Sequence, residues 1–83
     1  MKVIFTKHAG EKLRRSDIKK FKISKRKINQ ILKDPRSKSK TKYGNFAALE
    51  ELDLNHDIRI IYDIMDFGTK VITFHIARKG RYK

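Results

Sequence analysis

Between residues 58 and 65 both alternating registers of the chain are largely apolar. Ile58, Ile60, Tyr62 and Ile64 share one face of an extended run, and Arg59, Ile61, Asp63 and Met65 share the other. A strand that is apolar on both faces belongs in the middle of a sheet, with neighbours on each side and a covering layer on one face. The flanking segments keep the period of two. Phe46, Ala48, Leu52 and Leu54 alternate ahead of it, and Asn55, His56 and Asp57 read as a turn. Residues 66–69, with Gly68 inside, read as a second turn into a strand over 71–77. Three consecutive strands joined by short turns make an antiparallel meander.

The first half has a different pattern. Val3, Ile4 and Phe5 form a β-prone run, and Thr6 reads as the N-cap of a helix through about Arg15, with Ala9 and Leu13 four apart on its buried side. Gly10 weakens that helix by ~1 kcal/mol relative to Ala, so it depends on packing. Ser24 caps a second helix. Ile23 and Ile28 have the spacing of a hydrophobic staple, Ile28, Ile31 and Leu32 supply an i, i+3, i+4 stripe, and Asp34 followed by Pro35 ends it. Residues 36–42 alternate bases with Ser and Thr, the pattern of a linker or of an edge strand that uses Lys to discourage edge pairing. No internal repeat or second linker interrupts the chain, so residues 1–83 are expected to form one α+β domain, with two helices covering one side of the sheet.

Charge is distributed as unevenly as the apolar residues. The chain carries 22 Lys plus Arg against 9 Asp plus Glu, a formal net charge of +13. Residues 1–42 hold 16 of the bases and only Glu11, Asp17 and Asp34, whereas residues 43–83 hold six of each sign. The last four bases, Arg78, Lys79, Arg81 and Lys83, are confined to the C-terminal tail. Such an imbalance points to a polyanionic partner, because a surface adapted only for ion-pair networks would add Glu along with Lys. An apolar fraction of 39% with five Phe and three Tyr is enough to bury a small core, which separates this chain from a disordered basic tail. The absence of Cys excludes disulfides, a thiol nucleophile and a thiolate zinc site. No apolar run reaches the ~20 residues of a membrane span, and the N-terminus lacks a signal-peptide pattern, so no membrane partner and a cytoplasmic address are expected.

No nucleotide-cofactor or metal motif is present. The four glycines are too far apart for a phosphate-cradling loop, and His8, His56 and His75 have no His-x-x-x-His spacing, so neither a cofactor nor a metal is expected. What remains are cations, phenols and imidazoles. Those groups suit the transesterification of RNA, in which the substrate's own 2′-OH attacks the adjacent phosphorus. The reaction needs a base, an acid and positive charge on the phosphorane, with no protein nucleophile. Arg59 stands alone in the apolar central strand, where a guanidinium either faces a site or is paired, with Asp63, Glu50 or Glu51 as the available acids. His8, in the first turn of the first helix, reads as a base or as a capping residue. His75 alternates with Phe74 and Ile76 and reads as a catalyst or a sheet residue, Tyr82 as a site group or a ring anchoring the tail, and His56 as a turn residue.

The order of these segments resembles the RelE/ParE superfamily of toxin–antitoxin toxins. The resemblance rests on Arg59 and Tyr62 in the central strand, the hairpin that follows, and the apolar strand ending in Ala77, Arg78, Lys79, Gly80, Arg81 and Tyr82. Phe5–Thr6–Lys7–His8–Ala9, Ile23–Ser24 and Asp34–Pro35 are similar to a small RelE-like branch of it. The likeness implies two N-terminal helices packed on a twisted antiparallel sheet, and a metal-independent endoribonuclease that cleaves mRNA, in many members on the ribosome, and is neutralised by a small antitoxin. Carried over by position, Arg59 and Arg78 correspond to phosphate-stabilising arginines, with Arg81 as the alternative to Arg78, and Tyr82 to a tyrosine that stacks on or orients the nucleotide. Lys38, Lys40 and Lys42 fall near the family's basic strand, and Lys79 and Arg81 extend the RNA contact. The proton acceptor for the 2′-OH is left open between His8 and His75. The same superfamily also contains ParE-like topoisomerase inhibitors, and the charge alone is compatible with a non-enzymatic nucleic-acid-binding module.

Overall fold

Local signals set where the elements begin. The computed structural model describes residues 2–81, in which strand β1 (Lys2–Phe5) leads directly into helix α1 (Lys7–Lys12). Thr6 caps α1 by accepting from Ala9 N at 3.1 Å, and its hydroxyl donates to Ile72 O at 2.8 Å. The helix ends at Lys12 rather than continuing to Arg15, because Arg15 is extended (φ −68°, ψ 139°) and clasps Asp17 through two hydrogen bonds of 2.8 and 3.1 Å. A short helix that the sequence pattern did not suggest, α2 (Ser16–Lys19), starts there and buries Ile18. The third helix, α3 (Lys25–Lys33), has Ser24 as its cap, accepting from Lys27 N at 3.1 Å, and buries Ile28, Ile31 and Leu32. Ile23, beside the cap, is buried as a staple requires.

Four more strands follow: β2 (Ser37–Lys40), β3 (Phe46–Glu51), β4 (His56–Met65) and β5 (Gly68–Arg78). The segment at 36–42 is thus an edge strand, with every residue of β2 exposed. His56 and Asp57 belong to β4, not to a turn. The reversal lies at 52–55, where Leu52 N donates to His56 O at 2.9 Å and Asn55 N to the Asp53 carboxylate at 2.8 Å, which leaves Leu54 85% exposed.

The sheet runs β1-β5-β4-β3-β2. It is mixed rather than wholly antiparallel, since β1 lies parallel to β5 in the register Lys2↔Gly68 to Phe5↔Val71. The four later strands pair in sequence order and leave only β2 and β5 with open edges. β1 takes the β5 edge, and its direction follows from the Thr6 contacts that send the chain straight into α1. Gly68 is required at this junction: its φ is +142°, and a Cβ there would come within 2.2 Å of Lys2 O.

One face of the sheet is covered by helices. Ile58, Ile60, Tyr62, Val71 and Phe74 pack against Ala9, Ile18, Ile28, Ile31 and Leu32, and Phe74 is the largest fully buried side chain. Val71 and Phe74 both face inward because the β4–β5 register shifts between Ile61 and Tyr62, which bulges β5 at Ile72. Ile64 continues the inward register of β4 but is 64% exposed, beyond the reach of the helices. No described helix is long and apolar enough to cross a membrane.

Candidate functional site

The opposite face of the sheet carries no helical layer. Cross-strand partners share a face, so the pairings Ser37↔Leu49, Leu49↔Arg59 and Arg59↔His75 form one row across β2, β3, β4 and β5. Ser39↔Ala47, Ala47↔Ile61 and Ile61↔Thr73 form the adjacent row. Helix α1 closes both rows at the β5 side. Its His8 Nε2 lies 3.1 Å from Thr73 Oγ1, and its Lys12 Nζ lies 3.3 Å from His75 Nδ1 while also donating to Phe74 O. His8 and Lys12 are four residues apart, so both point from the same side of the helix to the sheet. Three elements thereby gather His8, Lys12, Thr73, His75 and Arg59 over an apolar floor of Ala47, Leu49 and Ile61.

Charge within this group is self-consistent. A Lys ammonium only donates, so His75 Nδ1 is the acceptor and the neutral ring carries its proton on Nε2. Burial, then the nearby charges of Lys12, Arg59 and His8, hold the His75 pKa below its usual value, which keeps the ring neutral near pH 7. Lys12 is pushed down as well, first by burial and then by Arg15.

Arg59 forms the wall between two clefts. One, of about 520 Å³, runs over β2 and β3 and is lined by Ser37, Lys38, Leu49, Arg59 and Arg81; the other, of about 450 Å³, lies under the β2–β3 loop and includes Lys40, Lys42 and Arg59. Arg59 has interactions of its own within the protein, and the acids near it make further contacts. Asp63 accepts from Asn45 Nδ2 at 2.8 Å, Glu51 pairs with Lys79, and Glu50 accepts from Glu51 N at 3.0 Å.

The C-terminal arginines line one pocket with His75 and differ in their other neighbours. Arg81 lies in the cleft with Arg59, whereas Arg78 faces His56 across β4 and lines a pocket with Leu54 and Asn55. The tail is drawn toward β2 by Asp57, a carboxylate with 1% exposure that accepts from Arg36 and from Gly80 N, each at 3.4 Å. This contact joins the basic first half to the basic tail. Lys40 also covers the Phe46 ring at 5.6 Å, and His56 stands apart, its Nδ1 3.0 Å from Asp53 and its ring edge-on to Phe21. Tyr82 lies outside the described residues. Among the described residues no three His, Asp or Glu side chains gather where they could hold a metal ion.

No protein-family model matches the chain, no curated protein matches it, and no solved structure matches it. The site is therefore read from its own chemistry. Lys12 was missed by sequence reasoning, although its i+4 relation to His8 was a usable signal; the cross-strand meeting of Arg59 and His75 depends on long-range register and left no local trace.

Proposed function

We propose that the open face binds single-stranded RNA and cleaves it by 2′-OH transesterification, and that the protein is a RelE-like toxin held in check by a small acidic partner protein. The observation that carries this reading is the row Arg59, His75, Lys12, in which a guanidinium, a neutral imidazole and an ammonium stand side by side over an apolar floor. In this reading Arg59 and Arg81 hold the non-bridging oxygens of the scissile phosphate, a task suited to planar guanidinium forks. His8 accepts the proton of the attacking 2′-OH. The 2′-oxygen bonds to phosphorus and the bond to the 5′-oxygen breaks. As His75 Nε2 gives its proton to the departing 5′-oxygen, Lys12 delivers one to Nδ1, so the ring stays neutral throughout. The step leaves His8 protonated and Lys12 neutral, and proton exchange with water resets both, the substrate's net change being one proton moved from the 2′-OH to the 5′-OH. Arg81, which shares a cleft with Arg59, supports the same reading by adding positive charge beside the face, and Lys38 and Lys40 add charge along the β2 edge on the helix-covered side.

The test is chemical. Cleavage of a short RNA in the presence of a metal chelator is expected to leave a 2′,3′-cyclic phosphate, and a single deoxynucleotide on the 5′ side of the scissile bond is expected to abolish it. Cutting of the deoxy substrate would contradict the mechanism.

A further inference from the structure

Tyr43 is 79% exposed at the tip of the β2–β3 loop, yet the loop that carries it is tightly built. Thr41 Oγ1 accepts from Tyr43 N at 3.2 Å, Thr41 N donates to Asn45 O at 2.9 Å, and Gly44 N donates to Thr41 O at 3.1 Å. Gly44 turns the chain with a φ of +90°. A large aromatic ring held out in solvent by an ordered turn gains nothing for the core. It stands at the mouth of the ~450 Å³ cleft whose other walls include Lys40, Lys42, Asn45 and Arg59, and Lys42 Nζ lies 5.2 Å from the ring centre. Asn45 is fixed too: its Nδ2 donates to the Asp63 carboxylate at 2.8 Å, and a carboxylate only accepts, so the Asn45 amide oxygen is left as an acceptor.

We propose that this cleft is a nucleobase subsite, in which one base of a single-stranded RNA stacks on Tyr43, offers an edge N–H to the Asn45 amide oxygen, and has its flanking phosphates met by Lys42 and Arg59. The chemistry favours a nucleotide because an aromatic face set among cations matches a flat π-system carried on a chain of negative charges. The inference rests on the RNA-cleaving reading for the phosphate that Arg59 holds, and it adds where the neighbouring base goes. Tyr43 here is a positioning residue, since stacking aligns the strand without touching the reacting bond.

The experiment uses the full chain and two forms of one short single-stranded RNA, the ribo form for cleavage and a 2′-O-methyl form that cannot react for binding. Tyr43→Ala is expected to weaken binding of the uncleavable RNA by roughly five- to a hundredfold, and Tyr43→Phe to restore it to within about twofold, because stacking needs the ring and not the hydroxyl. On the ribo form Tyr43→Ala is expected to raise KM more than it lowers kcat. Wild-type binding that weakens in Tyr43→Ala, in a protein that cleaves nothing, supports the subsite and removes the nuclease reading. Cleavage and binding unchanged in Tyr43→Ala overturn the subsite and leave the nuclease. Absence of RNA binding in the wild type overturns both.

Discussion

The Lys12 ammonium stands 3.3 Å from Nδ1 of His75, and this contact links a helix that leaves the sheet edge to the strand next to the central one. It also fixes a protonation state. His75 is held neutral, with its pKa below the usual value through burial and then through Lys12, Arg59 and His8. In the unfolded chain the same ring titrates near ~6.5. The unfolded state therefore binds a proton at a higher pH than the folded state does, and stability falls as pH drops below that unfolded value until the folded ring also protonates. We expect His75→Gln to remove part of this loss. Urea unfolding of both proteins at pH 7.5 and pH 5 checks it, the expected result being a smaller drop in the variant. A drop of equal size in both would contradict the assignment.

Replacing Lys12 with Met retains the length of the side chain and removes the donor. The His75 pKa is expected to rise, because one opposing charge is gone, and cleavage to fall by roughly tenfold or more, within the range general acid catalysis supplies. NMR titration of the His75 ring in the wild type and Lys12→Met reads the first effect directly.

Strand register and the Arg59 cleft give the C-terminal arginines different weights. Arg81→Ala is expected to reduce cleavage strongly, since Arg81 shares the cleft with Arg59, whereas Arg78→Ala removes a cation beside His56 and is expected to act mainly through overall charge. Steady-state cleavage at two salt concentrations distinguishes them, because a merely electrostatic loss is absorbed by the salt dependence.

Two glycines are expected to respond oppositely to Ala. Gly10 sits inside α1 with nothing within 4 Å of a new Cβ, so Gly10→Ala is expected to stabilise by about 0.4–1 kcal/mol. Gly68→Ala meets Lys2 O at a φ of +142° and is expected to destabilise by more than that, through loss of the β1–β5 pairing. Thermal unfolding of the two variants provides the comparison.

Helix starts and the meander were legible in the sequence because they rest on local chemistry: Thr6 and Ser24 cap where they stand, Ile23 and Ile28 are both buried, and the two-faced run at 58–65 is the central strand. Other features depend on contacts distant along the chain. The parallel pairing of β1 follows from which sheet edge remains free, and the early end of α1 from the Arg15–Asp17 clasp. Placement of His56 and Asp57 in β4 follows from the turn bonds at 52–55. For the site, Arg59 was legible as a costly guanidinium in an apolar strand, while its cross-strand neighbour His75 acquires meaning only once register is known. Tyr43 left no signal in the sequence pattern and stands at a loop tip, where Gly44 turns the chain.

The central claim is that the open face acts on RNA chemically rather than only binding it, and Arg59→Ala tests it most directly. Single-turnover cleavage and binding of the uncleavable RNA should be measured on the same preparation. The account predicts cleavage reduced by at least about a hundredfold, the scale of losing one preorganised charge-stabilising group, with affinity changed only a few-fold. Cleavage that falls only in proportion to binding, or that survives the substitution, would contradict it.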